Sequence, residues 1–175
     1  PVSSNQLCIG LHKRGYRRNS VEAPIKETIA AGIADLAHVY PDSVVCDPMC
    51  GSGTLMIESA LKAMNIAPGI NRHFAAEQWG CFPSDVWQRQ RSACLDEISH
   101  DAPFEAFGSD IDPEAVRLTM ENAANAGVAG RIHVEQRDMR NFEFPQAERR
   151  LIMLCNPPYG ERLGDAAEAA ALART

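Results

Sequence analysis

The chain has 175 residues, and its 17 Lys and Arg against 23 Asp and Glu give a formal net charge of -6 at pH 7. This length allows one domain with a sizeable core, and the lack of a secretory signal or an apolar run of about 18 residues predicts a cytoplasmic protein rather than a secreted or membrane-spanning one. The negative charge argues against nucleic-acid binding over the whole surface, because phosphate contacts require positive charge.

The six cysteines do not suggest a metal site or a disulfide framework. No two of them have the C-x-x-C spacing of zinc and redox sites, and several fall in segments predicted to be buried strands. We therefore expect reduced, packed thiols and no bound metal. The cysteines are Cys8, Cys46, Cys50, Cys81, Cys94 and Cys155.

Residues 1–23 are predicted to form an N-terminal extension, in which residues 6–11 and 15–17 make a small hairpin over the mouth of the site. The extension contains basic residues with an aromatic ring among them, and a second basic pair stands at Arg149 and Arg150. Such clusters can contact a nucleotide backbone and stack on a base, although a solvated hairpin is the alternative interpretation. The predicted substrate-binding residues of the extension are Lys13, Arg14, Tyr16 and Arg17.

A helix, a strand, a glycine turn and a second helix are predicted next. The first helix starts at Pro24 and ends before Pro41, and residues 43–47 form a buried strand. Gly51 and Gly53 let a ligand approach the backbone closely, and the helix that follows them offers free N–H groups at its first turn.

This glycine turn does not match a dinucleotide site. Met56 stands where the fingerprint G-x-G-x-x-G requires its third glycine. Asp47, at the end of the strand, would repel a pyrophosphate but favour an ammonium or sulfonium centre. A positively charged ligand is therefore expected at this turn.

Residues 65–100 are predicted to be an insertion between the second helix and the next strand. A helix is expected within it from Ser84 to Ile98. Packing over the sheet edge is the expected role, and a contribution to the substrate wall is the alternative hypothesis. Its aromatic residues are Phe74, Trp79, Phe82 and Trp87.

The second strand, residues 104–110, ends in acidic residues and leads into a helix whose first turn contains Pro113. An acid at this strand end is placed to accept both hydroxyls of a ribose. We assign that role to Asp110 and the helix N-cap to Asp112. After a third strand at residues 131–135, Asp138 and Met139 are candidates to hold an adenine amine and cover its ring, with a plain loop as the alternative.

A fourth strand, residues 151–155, leads into Asn156-Pro157-Pro158-Tyr159. Two consecutive prolines stop the strand, because they lack N–H donors and force extended backbone around them. The turn can present a side-chain amide, an unpaired carbonyl and an aromatic ring. That set suits a planar base with an exocyclic NH2 group, whereas a proline-rich turn capped by Asn is the alternative.

These segments together resemble S-adenosylmethionine-dependent amino-group methyltransferases, and more narrowly the THUMP-associated RNA methylases, which include the bacterial 23S ribosomal RNA guanine-N2 methyltransferase. The catalytic tetrapeptide alone is shared with adenine-N6 and glutamine-N5 enzymes, and the N-terminal segments make the narrower identification. The resembling segments are residues 11–17, 23–28, 47–53, Asp110 and residues 156–163.

The resemblance implies a Rossmann-like class I methyltransferase fold, which is α/β with a doubly wound, mostly parallel sheet. Such a domain normally has seven strands, so residues 24–175 are expected to be a methyltransferase domain that is incomplete at its C-terminus. The expected partners are RNA, with ribosomal RNA favoured, and the remainder of the parent chain, including a THUMP domain that would supply much of the RNA affinity.

The resemblance also implies the roles of individual residues. Tyr159 would stack on the base and belong to both the catalytic and the substrate-binding set. The implied catalytic residues are Asn156, Pro157, Pro158 and Tyr159. The implied S-adenosylmethionine-binding residues are Asp47, Pro48, Met49, Cys50, Gly51, Gly53, Thr54, Asp110, Ile111, Asp138, Met139 and Asn156.

Three other functions remain open at this point. One is an adenine-N6 methyltransferase acting on DNA or RNA, which would share the cofactor and the tetrapeptide. Another is a nicotinamide-dependent oxidoreductase, which Asp47 and the missing third glycine disfavour. The third is a non-catalytic RNA-binding module or inactive fragment.

Overall fold

The computed structural model describes residues 13–17, 24–83 and 85–157. Short 3-10 turns stand at Ala75–Gln78, Ala129–Arg131 and Met139–Asn141. None of the helices in these ranges has the length and hydrophobicity needed to cross a bilayer. The main elements are α1 (Glu27–Leu36), β1 (Val44–Asp47), α2 (Thr54–Ala63), α3 (Val86–Asp96), β2 (Glu105–Asp110), α4 (Pro113–Asn125), β3 (Ile132–Gln136) and β4 (Leu151–Met153).

The strands form one sheet in the order β3-β2-β1-β4, and each neighbouring pair is parallel. In register, Val45 lies opposite Ala106 on one side and Ile152 on the other. Every residue of β1 is buried, as expected for a central strand of a parallel sheet. The order confirms the predicted doubly wound α/β architecture.

Helices cover one face of the sheet. Helix α2 contacts β1 and β2, α4 contacts β2 and β3, and α1 packs on α2. Both α2 and α4 connect parallel neighbours in the same direction, so right-handed crossovers place them on the same face. The core between these helices and the sheet includes Met56, Ile57, Phe104 and Ala106, all fully buried.

The opposite face is only partly covered. On β4, Leu151 is 39% exposed and Met153 is 59% exposed. The rings of Phe107 and His133 stack there with centroids 4.8 Å apart. On this face, apolar burial is therefore weak at β4 but complete at the central β1, where Val44 and Cys46 are 0% exposed.

The start of α1 differs from the sequence prediction, which placed it at Pro24. Lys26 is extended, with ψ 141°, and the helix begins only at Glu27. The carbonyl of Ile25 accepts a hydrogen bond from Arg17 Nη1 at 3.1 Å, so it is engaged outside the helix ladder. The predicted hairpin is also not formed by residues 15–17, which have no strand structure, and residues 6–11 lie outside the described ranges.

The insertion contains the expected helix, with the narrower bounds of α3. The amide of Ser99 donates to the carbonyl of Met64 at 2.8 Å, which closes the base of the insertion beside the end of α2. Inside it, Phe74 stacks on Trp87 at 5.9 Å and Phe82 meets Trp87 edge-on at 6.0 Å.

Candidate functional site

The predicted site residues meet at one edge of the sheet. Asp47 and Asp110 end β1 and β2, whereas Asp138 and Asn156 follow β3 and β4. Because all four strands are parallel, their carboxyl ends lie at the same edge. The chain leaves β1 toward β2 on one side and returns to β4 on the other, so the strand order reverses beside β1, which is where open α/β sheets form a ligand crevice.

Asp47 is a buried carboxyl group at this reversal. It is 1% exposed, and its Oδ1 accepts a hydrogen bond from the Met49 amide at 3.3 Å. The pKa of Asp47 is raised to about 7, mainly by burial and also by the Asp110 carboxylate, while interactions with the Met49 amide and the Cys155 thiol lower it. A cation in the crevice would favour the charged form of this carboxyl group.

The glycine turn after β1 has a conformation that side chains disfavour. Gly51 has φ 56° and Gly53 has φ 76°, in the left-handed region. A Cβ atom at Gly53 would lie 2.6 Å from Thr119 Cγ2. The amide of Gly53 donates to the Cys50 carbonyl at 2.8 Å, and Gly53 immediately precedes α2.

Asp110 joins this turn to β2. Its Oδ2 accepts the Gly51 amide at 2.9 Å, and its Oδ1 accepts the Asp112 amide at 3.0 Å. Asp112 caps α4 by accepting the Glu114 amide at 2.9 Å, which confirms its predicted role. Each Asp110 oxygen keeps a further lone pair that a hydroxyl can use, and the ribose role of Asp110 stays a prediction.

Helix α4 holds the same turn through residues that the sequence analysis missed. Thr119 Oγ1 donates to the Gly51 carbonyl at 2.9 Å, and Asn122 Nδ2 donates to the Ser52 carbonyl at 3.0 Å. Both side chains are buried. The sequence did contain a signal for them. At helical spacing, Thr119 and Asn122 lie on the same face of α4 as the buried Ala115 and Ala123, and polar residues on a buried face need hydrogen-bond partners.

Asp138 lies after β3 and is bound to a neighbour. Its Oδ1 accepts the Arg140 amide at 2.9 Å, and Arg140 Nε lies 3.0 Å from the same oxygen. Hydrogen bonds from the Arg140 side chain and amide lower the pKa of Asp138 to about 2. Asp138 is therefore an anionic acceptor shared with Arg140, and the adenine roles of Asp138 and Met139 stay predictions.

The predicted substrate-binding cluster of the extension is turned toward the protein. Tyr16 is 4% exposed, and its hydroxyl donates to Glu58 Oε1 at 3.0 Å. Arg14 Nη2 lies 3.4 Å from Glu58 Oε2, and Arg17 Nη2 lies 2.7 Å from Glu27 Oε2.

These contacts engage Arg14, Tyr16 and Arg17 within the protein, and their predicted role in substrate binding stays a prediction. Burial, followed by the charge of Glu58, raises the pKa of Tyr16 above its ordinary value. Arg17 Nη1 also lies 3.3 Å from Thr54 Oγ1, at the first residue of α2. Residues 14–17 therefore contact the start of α2 and its buried Glu58. Lys13 is the exposed member of the predicted cluster.

The second basic pair lies at the other edge of the sheet from the crevice. Arg149 and Arg150 precede β4, at the amino edge of the sheet and opposite Asn156. Arg150 Nη1 donates to the His38 carbonyl at 3.3 Å, and Arg149 pairs with Glu105. The length of the sheet separates this pair from the crevice, and its contact with a nucleotide backbone stays a prediction.

The segment after β4 keeps one more hydrogen bond to β1 and then becomes exposed to solvent. The Leu154 amide donates to the Cys46 carbonyl at 2.9 Å. Burial, followed by the charge of Asp47, raises the pKa of the Cys155 thiol to about 12. Asn156 and Pro157 are exposed. Pro158 and Tyr159, predicted to be catalytic, lie outside the described ranges.

Comparison with known proteins matches this chain to methyltransferases. The family model described as UPF0020, RMKL-like, methyltransferase domain, matches residues 14–175. The chain is 44% identical over 160 residues to "Putative RNA methyltransferase YpsC" of Bacillus subtilis, covering 89% of this chain and 40% of that protein. It is 40% identical over 174 residues to "Ribosomal RNA large subunit methyltransferase K/L" of Shewanella frigidimarina, covering 95% of this chain and 24% of that one. The chain therefore spans less than half of either relative.

Two solved structures have a fold very similar to that of this chain. SMU.472, a putative methyltransferase complexed with SAH, has a TM-score of 0.84 and 38% identity over 93% of this chain and 42% of that one. A predicted N6-adenine-specific DNA methylase from Listeria monocytogenes has a TM-score of 0.84 and 43% identity over 94% of this chain and 43% of that one. These likenesses confirm the predicted Rossmann-like methyltransferase fold.

Proposed function

The chain belongs to the UPF0020 family of RMKL-like methyltransferase domains, and from that membership we propose that it transfers a methyl group from S-adenosylmethionine to the exocyclic N2 amine of a guanine in RNA, with 23S ribosomal RNA as the expected substrate. The proposed reaction takes place in the cytoplasm. The observation that carries the proposal is the meeting of Asp47, the Asp110-bound glycine turn and Asn156 at the reversal of strand order.

The donor set at this edge fits the cofactor. The buried carboxyl group of Asp47 suits a positively charged group, and its pKa of about 7 lets it ionise when a cation approaches. Asp110 offers carboxylate oxygens for hydroxyl groups, and Gly51 and Gly53 place no side chain between a ligand and their backbone. The side chain of Ser52, which stands between them, is buried. When bound, S-adenosylmethionine supplies an activated methyl group on its sulfonium.

The turn after β4 is proposed to orient the accepting base. The guanine N2 lone pair is delocalised into the ring, so the amine must be held in an orientation that allows attack. The Asn156 side-chain oxygen and the Pro157 carbonyl are acceptors for its two hydrogens, and Tyr159 would stack on the base after it leaves its helix or loop. Pro158 keeps the turn rigid.

No strong base is required of the protein. The amine becomes acidic as the new N–C bond forms and the methyl–sulfur bond breaks to leave a neutral thioether, so its proton would pass to water only late in the transfer. Holding the two reactants in line can lower the barrier by roughly 7–11 kcal/mol. Most of the proposed catalysis is therefore orientation of the base by Asn156 and Pro157.

RNA is proposed as the substrate because two relatives that cover most of this chain are named as RNA methyltransferases. The chain spans only 40% and 24% of those proteins, so RNA capture is proposed to involve the remainder of the parent chain, including a THUMP domain. An acidic catalytic domain is compatible with that division of labour.

Adenine-N6 methylation is the second candidate, because a structural neighbour with 43% identity is described as a predicted N6-adenine-specific DNA methylase. An adenine amine would make the same hydrogen bonds to Asn156 and Pro157. Mass spectrometry of nucleosides from RNA and DNA incubated with the intact protein separates N2-methylguanine from N6-methyladenine. N6-methyladenine as the only product would replace the first proposal with the second.

Asn156→Ala in the intact protein tests the mechanism. Turnover should fall by about 100-fold or more, a loss typical of removing one oriented hydrogen-bonding group at a reacting centre. The affinity for S-adenosylhomocysteine, measured by calorimetry, should change by less than about threefold, because each hydrogen bond at an exposed side chain contributes little to binding. An equal loss of binding and turnover would show that Asn156 has a structural role instead.

A further inference from the structure

We propose that Thr119 and Asn122 of α4 are positioning residues that set the orientation of the glycine turn for cofactor binding. This inference rests on the proposed function and adds to it two residues outside the predicted site. It is carried by two hydrogen bonds from buried side chains to consecutive carbonyl groups of the turn, at 2.9 Å for Gly51 and 3.0 Å for Ser52.

The two hydrogen bonds fix two successive peptide planes. A peptide unit is planar and trans, so its carbonyl and the following N–H point in opposite directions. When Thr119 holds the Gly51 carbonyl toward α4, the Ser52 N–H is turned away from α4. When Asn122 holds the Ser52 carbonyl, the Gly53 N–H is turned toward the Cys50 carbonyl, where it donates at 2.8 Å.

Thr119 also fills the space beside the turn. A Cβ atom at Gly53 would lie 2.6 Å from its Cγ2 and 3.0 Å from its Oγ1, so the methyl group packs directly against the glycine. Its Oγ1 also lies 3.8 Å from the Cys50 thiol. One side chain thus holds a carbonyl with its hydroxyl group and the glycine backbone with its methyl group.

This arrangement matters for a ligand because of the charges at the crevice. Asp47 and Asp110 already place two carboxyl groups there, and Asp110 receives the Gly51 N–H. If the Gly51 carbonyl rotated into the crevice, the Ser52 N–H of the same peptide unit would turn toward α4 and would be lost to a ligand as a donor. Holding the Gly51 and Ser52 carbonyls toward α4 keeps the turn preorganised, so binding does not have to order it.

The matched variants Thr119→Val and Thr119→Ser separate the two roles. Valine keeps a methyl group and loses the donor, whereas serine keeps the donor and loses the methyl group. In the intact protein, Thr119→Val should weaken S-adenosylhomocysteine binding by about fivefold to tenfold, the effect expected of one lost buried hydrogen bond. The KM for S-adenosylmethionine should rise by the same factor, with kcat within about twofold of the wild type.

Thr119→Ser should restore binding to within about twofold of the wild type, because the hydroxyl group is retained. Hydrogen exchange gives a readout without a ligand: the amides of residues 51–53 should exchange faster in Thr119→Val than in Thr119→Ser. Asn122→Ala removes the second donor and should likewise weaken S-adenosylhomocysteine binding and speed the exchange of these amides. It provides the test if Thr119→Val does not fold.

The outcomes distinguish the inference from the function on which it rests. If the wild type fails to bind S-adenosylhomocysteine, the proposed function is wrong and this inference falls with it. If the wild type binds and both Thr119→Val and Asn122→Ala bind equally well, only the inference is overturned. Equal losses in Thr119→Val and Thr119→Ser would also overturn it, because packing alone would explain them.

Discussion

The glycine turn and the turn that begins at Asn156 border the same crevice but are built differently. The glycine turn is held by three hydrogen bonds from two neighbouring elements, one to Asp110 on β2 and two from Thr119 and Asn122 on α4. At the other turn, Asn156 is exposed, and its side chain makes no hydrogen bond within the described part of the chain. One region is preorganised by its own domain, and the other presents free polar groups.

The difference corresponds to the two ligands of the proposed reaction. The cofactor is the same in every catalytic cycle, so a rigid and buried turn can bind it. The base must leave its RNA helix or loop to react, so the turn that binds the base has to be accessible. Mutations in the two regions should therefore have different consequences for stability and activity.

The largest effect on stability is expected from Asp47→Asn, and it should depend on pH. The pKa of Asp47 is raised from 3.8 to about 7 in the folded protein, first by burial and then by Asp110. The folded state therefore holds this proton where the unfolded state has lost it, so the free energy of unfolding falls as pH rises from about 4 to about 7 and is flat above. The fall can reach about 4 kcal/mol.

Asp47→Asn should remove this dependence, because an amide does not titrate in that range. Urea denaturation at several pH values measures it, and an unchanged slope in the variant would mean that another group is responsible. A bound cation should also favour loss of the Asp47 proton. Calorimetry with S-adenosylmethionine should then show tighter binding as pH rises through about 7, and Asp47→Asn should abolish that trend.

The next largest effect is expected from Gly53→Ala, with Gly127→Ala as its matched control. Both glycines have left-handed backbone, with φ 76° and 77°, but an added Cβ meets Thr119 only at Gly53 and no atom within 4 Å at Gly127. Conformational strain costs about 1–2 kcal/mol at either position, and overpacking adds about 1–3 kcal/mol at Gly53. Equal free energies of unfolding for the two variants would contradict the close packing on Thr119.

The smallest effect is expected from Asn156→Ala on the free energy of unfolding. The side chain is exposed, so its removal should change this quantity by less than about 0.5 kcal/mol. Thermal or urea denaturation checks the value beside the large loss of turnover predicted above. A loss above about 1 kcal/mol would remove the contrast between the two turns, because the Asn156 turn would then be part of the structural frame.

The sequence was sufficient to predict the sheet and the strand ends that border the crevice. Apolar runs followed by Asp47, Asp110 and Asn156 are local signals, and parallel pairing brings them together. It was also sufficient to assign Asp112 as the cap of α4, because Asp-Pro at a helix start is a local signal.

The contacts of the N-terminal segment could not be predicted in the same way. Arg14, Tyr16 and Arg17 form a typical basic and aromatic cluster, and only the fold shows that Glu27 and Glu58 lie buried opposite them. The partners are 10 to 44 residues away along the chain. Thr119 and Asn122 were missed for a related reason, since a polar residue on a buried helix face reveals its partner only when the neighbouring turn is placed.

The aromatic packing inside the insertion has a practical consequence for spectroscopy. Both tryptophans of the chain, Trp79 and Trp87, lie there; Trp79 is 58% exposed, whereas the indole nitrogen of Trp87 is buried. Intrinsic indole fluorescence therefore reports on this segment and on no other part of the chain. A nucleoside bound only at the carboxyl edge of the sheet would leave the tryptophan emission unchanged. A polynucleotide that also contacts the insertion would shift or quench this emission. Iodide would quench the emission of the exposed Trp79 before that of Trp87.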